Sequence, residues 1–361
     1  MSNNIDNIIK PKVRNSNLEL YRIIVMMLIV MHHYVVNSGY IPLMDSQPFS
    51  FKSIYLYWLG MWGKTGINCF VLITGYFMCK SHITLRKFLK LLLEIEFYNV
   101  LLYLIFVLTG YIDFSTYDFL WRLFPIHGVS GDFISCYLVF FLFIPFLNVL
   151  VSNMNKTKHL LLVVLCLGVY SLYNAIPGVE VGSNDSIWFC ILYFISSFIR
   201  CYPLKKDKDT CFWIIALFGS VLTAMASVFL IVYFKIPLDA YVFVGWPSAP
   251  LSVLISIIAF MLFKDLRIKQ NKFINVVGGG TFGVLLIHAN SNAMRQWLWY
   301  DVFDNVGHYM SNEIYLHAVF VPIIVFSICS FIEYIRAIAI EKPMLDVTYK
   351  TIRKYFPTIN H

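Results

Sequence analysis

LELYRIIVMMLIVMHHYVVN, Leu18 to Asn37, is the stretch that decides the fold of this chain. It is long and apolar enough for a bilayer-crossing helix, which needs about 20 residues. Two ionisable groups interrupt it: Arg22 near its start and His33 eleven residues later. At 3.6 residues per turn these positions point within about 20° of each other, roughly 16 Å apart along the axis. A charged anchor near one membrane face is thus aligned with an imidazole deep in the span. Ionisable side chains are costly in hydrocarbon, so each marks a candidate site. The alternative is a snorkelling arginine with an interior histidine held by an ordinary hydrogen bond.

The rest of the chain has the same character. Of its 361 residues, 59% are hydrophobic and 13% charged, against about 25% charged in soluble domains. An all-α, polytopic integral membrane bundle is therefore expected. Ten spans are predicted, at about 18–37, 54–78, 91–110, 133–152, 160–176, 187–202, 211–234, 248–263, 274–298 and 314–338. They form one domain over 1–361, with a polar leader at 1–17 and a polar tail at 339–361. The leader lacks the short apolar region and small-residue cleavage site of a signal peptide, so the first helix is expected to stay.

The net charge of +8 is a topology signal. Span alternation puts all but five of the 28 Lys and Arg on one face, the exceptions being Lys52, Lys64, Arg122, Lys235 and Arg295. By the positive-inside rule both termini are cytoplasmic, and no nucleic-acid partner is expected. The eight cysteines are scattered without a CxxC pair, so neither a zinc site nor a disulfide framework is indicated. No metal site is expected.

The second span reads LGMWGKTGINCFVLITGYFMCK, with Lys64 and Asn68 four apart on one face and Thr74 deeper. An intramembrane lysine needs a partner or a water-filled cavity. Arg86, Lys87 and Lys90 cluster at the start of the third span. Cations there can hold phosphates alongside exposed backbone N–H groups, or simply anchor the helix at the membrane surface. The ninth span, NVVGGGTFGVLLIHANSNAMRQWLW, places His288 at its middle. Asn292 and Arg295 follow at helical spacing on the same face. Its GxGxxG match opens a membrane helix rather than a βαβ unit, so a nicotinamide site is rejected. The glycines serve close packing or local unwinding instead. There is no GxSxG, HExxH or P-loop; any catalysis must use the intramembrane groups.

These segments resemble the acyltransferase-3 family of membrane enzymes, in particular its bacterial polysaccharide O-acetyltransferases. The basic-residue-x10-His pattern appears as Arg22 to His33, with Glu19 just before it. GKTGINCFVLITGYF is similar to the family's FFVLSGF stretch, FISCYLVFFLFIPFLN to its fourth span, and TFGVLLIHAN to its TFGIYLIH segment. Four positions depart. Lys87-x-x-Lys90 replaces Arg-x-x-Arg, Asp132 replaces a tryptophan, and Leu285 replaces the tyrosine of YLIH.

The resemblance implies a multi-pass O-acetyltransferase of the bacterial cytoplasmic membrane with no permanently bound cofactor. Acetyl-CoA is the expected cytosolic donor, and a hydroxyl of a cell-envelope or exported polysaccharide the acceptor. The expected partners are therefore membrane lipids, acetyl-CoA and the glycan. His33 is expected as general base, with His288, Lys64 and Asn68 supporting the transition state. Arg22, Arg86, Lys87 and Lys90 would hold the CoA phosphates, and Glu19, His32, Asn292 and Arg295 would contact substrate. A transporter or flippase of lipid-linked sugars and a glycan polymerase are the competing readings.

Reporter fusions after Asn17 and near His361 should both register cytoplasm. An external signal at either end would refute the even-span topology.

Overall fold

The computed structural model describes residues 14–126, 132–176, 179, 181–182, 184–203 and 210–355. Residues 1–13 of the expected leader and 356–361 of the expected tail lie outside that set. The described residues form helices and no strands. In chain order they are α1 (Ser16–Val36), α2 (Tyr40–Asp45), α3 (Phe51–Gly60), α4 (Gly63–Met78), α5 (Leu85–Leu108) and α6 (Thr116–Arg122). Next come α7 (Phe133–Ser152), α8 (Lys156–Leu167), α9 (Asp185–Cys201), α10 (Thr210–Tyr233) and α11 (Pro250–Asp265). The last are α12 (Lys272–Gly279), α13 (Thr281–His288), α14 (Asn292–Gln296), α15 (Asn305–His308), α16 (Ile314–Arg336) and α17 (Lys342–Tyr355).

Apolar runs become helices where a short polar side chain caps the first turn. Thr84 accepts from the Lys87 N–H, Asp132 from Ser135, Asn155 from Lys158 and Asn271 from Ile274. Among the described residues six helices are long and apolar enough to cross a membrane, or seven if one bent pair counts as a span. Not all of the ten expected spans are matched by helices of that kind. The 54–78 segment is two helices, α3 and α4, interrupted at Met61–Trp62. The carbonyl of Gly60 at that break accepts from His32 Nδ1. Helices α9 and α11 have 17 and 16 residues, short of the usual span length. The 274–298 segment breaks into α12, α13 and α14, and the chain bends by 93° between residues 288 and 292. Ser291 caps α14 by accepting from the Met294 N–H at 3.2 Å.

Helix α1 packs against α3, α4, α12, α13 and α16, while α4 also meets α9 and α11. Small residues permit these approaches, as expected where backbones must come close in a membrane. A Cβ on Gly75 of α4 would collide with Ser196 Oγ and stand 3.1 Å from the Tyr193 Cα of α9. Polar side chains also tie α4 to α11 and to α7. Thr65 Oγ1 donates to Ser252 Oγ at 3.3 Å, and Asn148 Nδ2 donates to Met78 O at 3.3 Å.

Much of the polar tail is helical. A π-helical turn (Ala337–Glu341) leads from α16 into α17, which packs on α5. Acidic residues answer the α5 cations there. Arg86 pairs with Asp346 at 2.7 Å and Lys90 with Glu341 at 2.6 Å.

Gly75→Ala should destabilise the purified protein by roughly 1–3 kcal/mol, the usual effect of overpacking. Its thermal midpoint should fall, and Ser196→Ala in the same chain should recover part of the loss.

Candidate active site

The two halves of the sequence pattern meet at one contact. His33 of α1 and His288 at the end of α13 lie with Nδ1 and Nε2 2.9 Å apart. The direction of this bond follows from a third group. His288 Nδ1 is 2.6 Å from the Val284 carbonyl. A carbonyl can only accept, so Nδ1 of His288 carries the hydrogen and Nε2 is the lone-pair nitrogen. His33 Nδ1 must then donate to His288, which leaves the lone pair of neutral His33 on Nε2. Among the described residues, that nitrogen has no hydrogen-bond partner.

His33 lines a cavity of about 380 Å³. Arg22, Lys87 and Lys90 line the same cavity, joined by His32, Lys64 and Arg295. The opening pair of the sequence thus faces a single space. Arg22 is held by Glu19, whose two carboxylate oxygens each lie 3.2 Å from Nη1. Glu19 also pairs with Arg14 at 3.3 Å. The glycines of α12 fit this arrangement, since a Cβ on Gly278 would stand 2.6 Å from the Glu19 carbonyl oxygen.

Not every expected site residue reaches the cavity. Asn68 is fully buried, with its amide donating to Pro247 O at 2.7 Å and accepting from Trp188 Nε1 at 2.9 Å. It clamps α4 to α9 and is not among the lining residues. Arg86 and Asn292 are exposed and also off the cavity wall. The shared face expected for His288, Asn292 and Arg295 is corrected, because the helix ends at His288 and bends before Asn292. Arg295 nevertheless lines the cavity, and its Nη1 donates to Asn292 at 3.4 Å. His32 is turned to the α3–α4 break, bonding Gly60 O, so it holds α1 in place. Lys64 makes no hydrogen bond or ion pair among the described residues. Lys87 Nζ donates to Ser81 Oγ at 2.8 Å and His82 O at 2.7 Å.

Several lining residues escaped the sequence reading. Tyr137 Oη lies 3.0 Å from Thr74 Oγ1, which itself donates to Phe70 O at 3.1 Å. Glu94 lines the wall beside a buried charge cluster. There Arg336 grips Glu333 through Nε and Nη2, both at 2.7 Å, and reaches Glu341 at 2.9 Å. Tyr98 Oη donates to Glu333 at 2.8 Å. The carboxylates of Glu94, Glu333 and Glu341 converge within 4.8 Å, and the guanidinium of Arg336 supplies their counter-charge. A glutamate in an apolar run was a readable signal for Glu94; nothing in the pattern marked Tyr137.

The family model described as an acyltransferase domain matches residues 15–335. The chain belongs to the acyltransferase-3 family. Comparison with curated proteins and with solved structures gives no significant match. This acyltransferase-family chain is thus a multi-pass membrane protein whose match covers the histidine pair, the cavity and all of α1 through α15. Most of α16 is also matched, whereas α17, whose Asp346 pairs with Arg86, lies beyond it.

Asn68→Ala should leave the Trp188 indole N–H and the Pro247 carbonyl unpaired. A stability loss of roughly 2–4 kcal/mol is expected from two buried orphans. CoA binding by the protein that remains folded should match the parent; a selective loss of CoA binding would return Asn68 to the site.

Proposed function

We propose that the protein is a membrane O-acetyltransferase that moves an acetyl group from cytosolic acetyl-CoA to a hydroxyl of a cell-envelope or exported polysaccharide. The observation that carries the reading is the unpartnered Nε2 of His33 in a cavity that also holds Arg22, Lys87 and Lys90.

A sugar hydroxyl is a poor nucleophile at neutral pH, and imidazole is the side chain best matched to take its proton. In the proposed reaction His33 Nε2 accepts that proton as the hydroxyl oxygen attacks the thioester carbonyl. The positive charge that forms on His33 is stabilised through Nδ1–H by the His288 lone pair. The carbonyl oxygen gains charge and requires preorganised donors. Lys64 and Arg295, which line the cavity, are assigned to that task. Collapse of the tetrahedral intermediate breaks the carbon–sulfur bond. His33 returns its proton to the departing sulfur, giving free CoA and the O-acetyl ester.

Arg22, Lys87 and Lys90 are assigned to the donor phosphates. The roughly 16 Å rise along α1 between Arg22 and His33 is left for the pantetheine arm. His288 is a positioning residue in this scheme. Its bond to Val284 O fixes its own tautomer and through it that of His33.

Transfer of label from acetyl-CoA to glycan by membranes containing the protein separates this reading from a transporter or polymerase. His33→Ala should lower incorporation by about 10²–10⁴-fold, the usual contribution of a general base. His288→Ala should have an intermediate effect and His32→Ala the smallest. Arg22→Ala should weaken CoA binding without disturbing monodispersity in detergent. A well-folded His33→Ala protein with near-normal incorporation would remove the catalytic assignment.

A further inference from the structure

A second cavity, of about 390 Å³, opens at the end of α1 opposite Arg22. Its wall is formed by α2, the segment leading into α3, α3 itself, the end of α10 and the residues that follow α10. Three aromatic rings contribute: Phe49, Tyr57 and Tyr241. Phe49 is held edge-on by Phe229 and Tyr233, at centroid distances of 5.9 and 5.1 Å. Both tyrosine hydroxyls are already engaged. Tyr57 donates to Asp45 Oδ1, and Tyr241 donates to Tyr57 O at 3.0 Å. Tyr57 is buried at 2% exposure, so the ring surface left to a ligand is that of the part-exposed Phe49 and Tyr241.

The polar groups of the wall have the complementary surplus. Asp45 uses Oδ1 for Tyr57, and Asp239 uses Oδ1 for the Tyr241 N–H at 2.7 Å. Each keeps Oδ2 as an acceptor. The side chains of Gln47 and Lys235, also in the wall, make no hydrogen bond or ion pair among the described residues. They provide free donors, and Gln47 a further acceptor. Lys235 has φ +50°, a left-handed conformation that a non-glycine residue adopts only where its surroundings impose it. Two carboxylates against one ammonium leave the wall net negative, which disfavours phosphate or sulfate groups. An apolar ligand would leave the free donors and acceptors unmatched. Hydroxyl groups that both donate and accept, on a ring with apolar C–H faces, match both sets.

The cavity also stands close to the chemistry. Gly60 O accepts from His32 Nδ1, and a Cβ on Gly60 would lie 2.5 Å from Tyr241 Oη. A single stretch of backbone at the α3–α4 break therefore separates Tyr241 from the neighbour of His33. We propose that this second cavity is a saccharide subsite, holding an uncharged or amino-bearing sugar unit of the acceptor further along the glycan from the one whose hydroxyl reaches His33. The assignment rests on the acyl-transfer reading above for its role, but its binding test does not depend on turnover.

The test is saturation-transfer NMR on the full-length protein in a zwitterionic detergent without a sugar headgroup. The probes are cellobiose, maltose and N,N′-diacetylchitobiose, with glucose 6-phosphate as the anionic control. Lys235→Gly removes the ammonium while relaxing the backbone, so misfolding is not the expected cause of a loss. Gln47→Ala removes the amide from a different segment. Each should weaken binding of the neutral disaccharides about five- to tenfold, the size of one hydrogen bond. Sugar binding unchanged in both variants would overturn the subsite and leave the acyl-transfer reading standing. Absence of binding by every disaccharide, or preference for glucose 6-phosphate, would also overturn it. CoA titration of the same samples reports on the acyl-transfer reading separately.

Discussion

The hydrogen bond between His33 and His288 is the interaction on which the rest of this architecture depends. It joins α1 to α13 across 255 residues of sequence. It also has a direction, because the Val284 carbonyl can only accept and so sets the hydrogen positions of both rings. For the two imidazoles to meet, α12 and α13 must lie close along α1. The glycines of that segment allow this. Gly278 sits against the Glu19 backbone, while Gly280 and Gly283 sit against the Glu333 side chain. A side chain at Gly278 or Gly283 would push α12–α13 away and lengthen the histidine contact before it touched the chemistry.

The same seat explains the buried charge cluster. Glu333 is 4% exposed and Arg336 2%, which would be unfavourable for either alone. Their two-pronged contact, with Tyr98 donating to the same carboxylate, gives each a partner. Buried ion pairs contribute little net stability, but breaking one leaves an uncompensated charge. The cluster therefore works as a positional constraint. It fixes α16 against α5 and α13, and with them the wall that carries His288.

Much of the fold was legible because helix periodicity acts locally. Arg22 and His33 were readable as a pair since an uninterrupted helix relates them, and they do line one cavity. The reading failed wherever a helix stopped. Asn292 and Arg295 share a face with His288 only if the helix continues, and a bend intervenes at the cap formed by Ser291. Asn68 is four residues from Lys64, yet the 40° between them on the helix sends one to the cavity and the other to Trp188. Tyr137 could not be found from sequence, since its hydroxyl acquires meaning only when α7 brings it to Thr74. Asp132, noted as a departure from the family pattern, both lines the cavity and caps α7, accepting from the Ser135 N–H at 2.9 Å.

Charge is distributed along α1 in a way that suits two different substrates. One end carries Arg22, Lys87 and Lys90, and the tail supplies carboxylates against two of the neighbouring cations. These exposed pairs are individually weak. A polyanionic donor that replaced Glu341 on Lys90 would exchange one partner for another rather than desolvate a bare ammonium. The opposite end presents aromatic rings with two carboxylates and one lysine, a surface poorly suited to phosphates. Between them stands the neutral histidine pair. An anionic donor is thus favoured at only one mouth, and an uncharged polar acceptor meets little competition from it at the other. In the proposed reaction the charge that forms on His33 is the proton it takes from the hydroxyl and returns to the sulfur. In the same proposed reaction this separation keeps donor and acceptor from occupying each other's place.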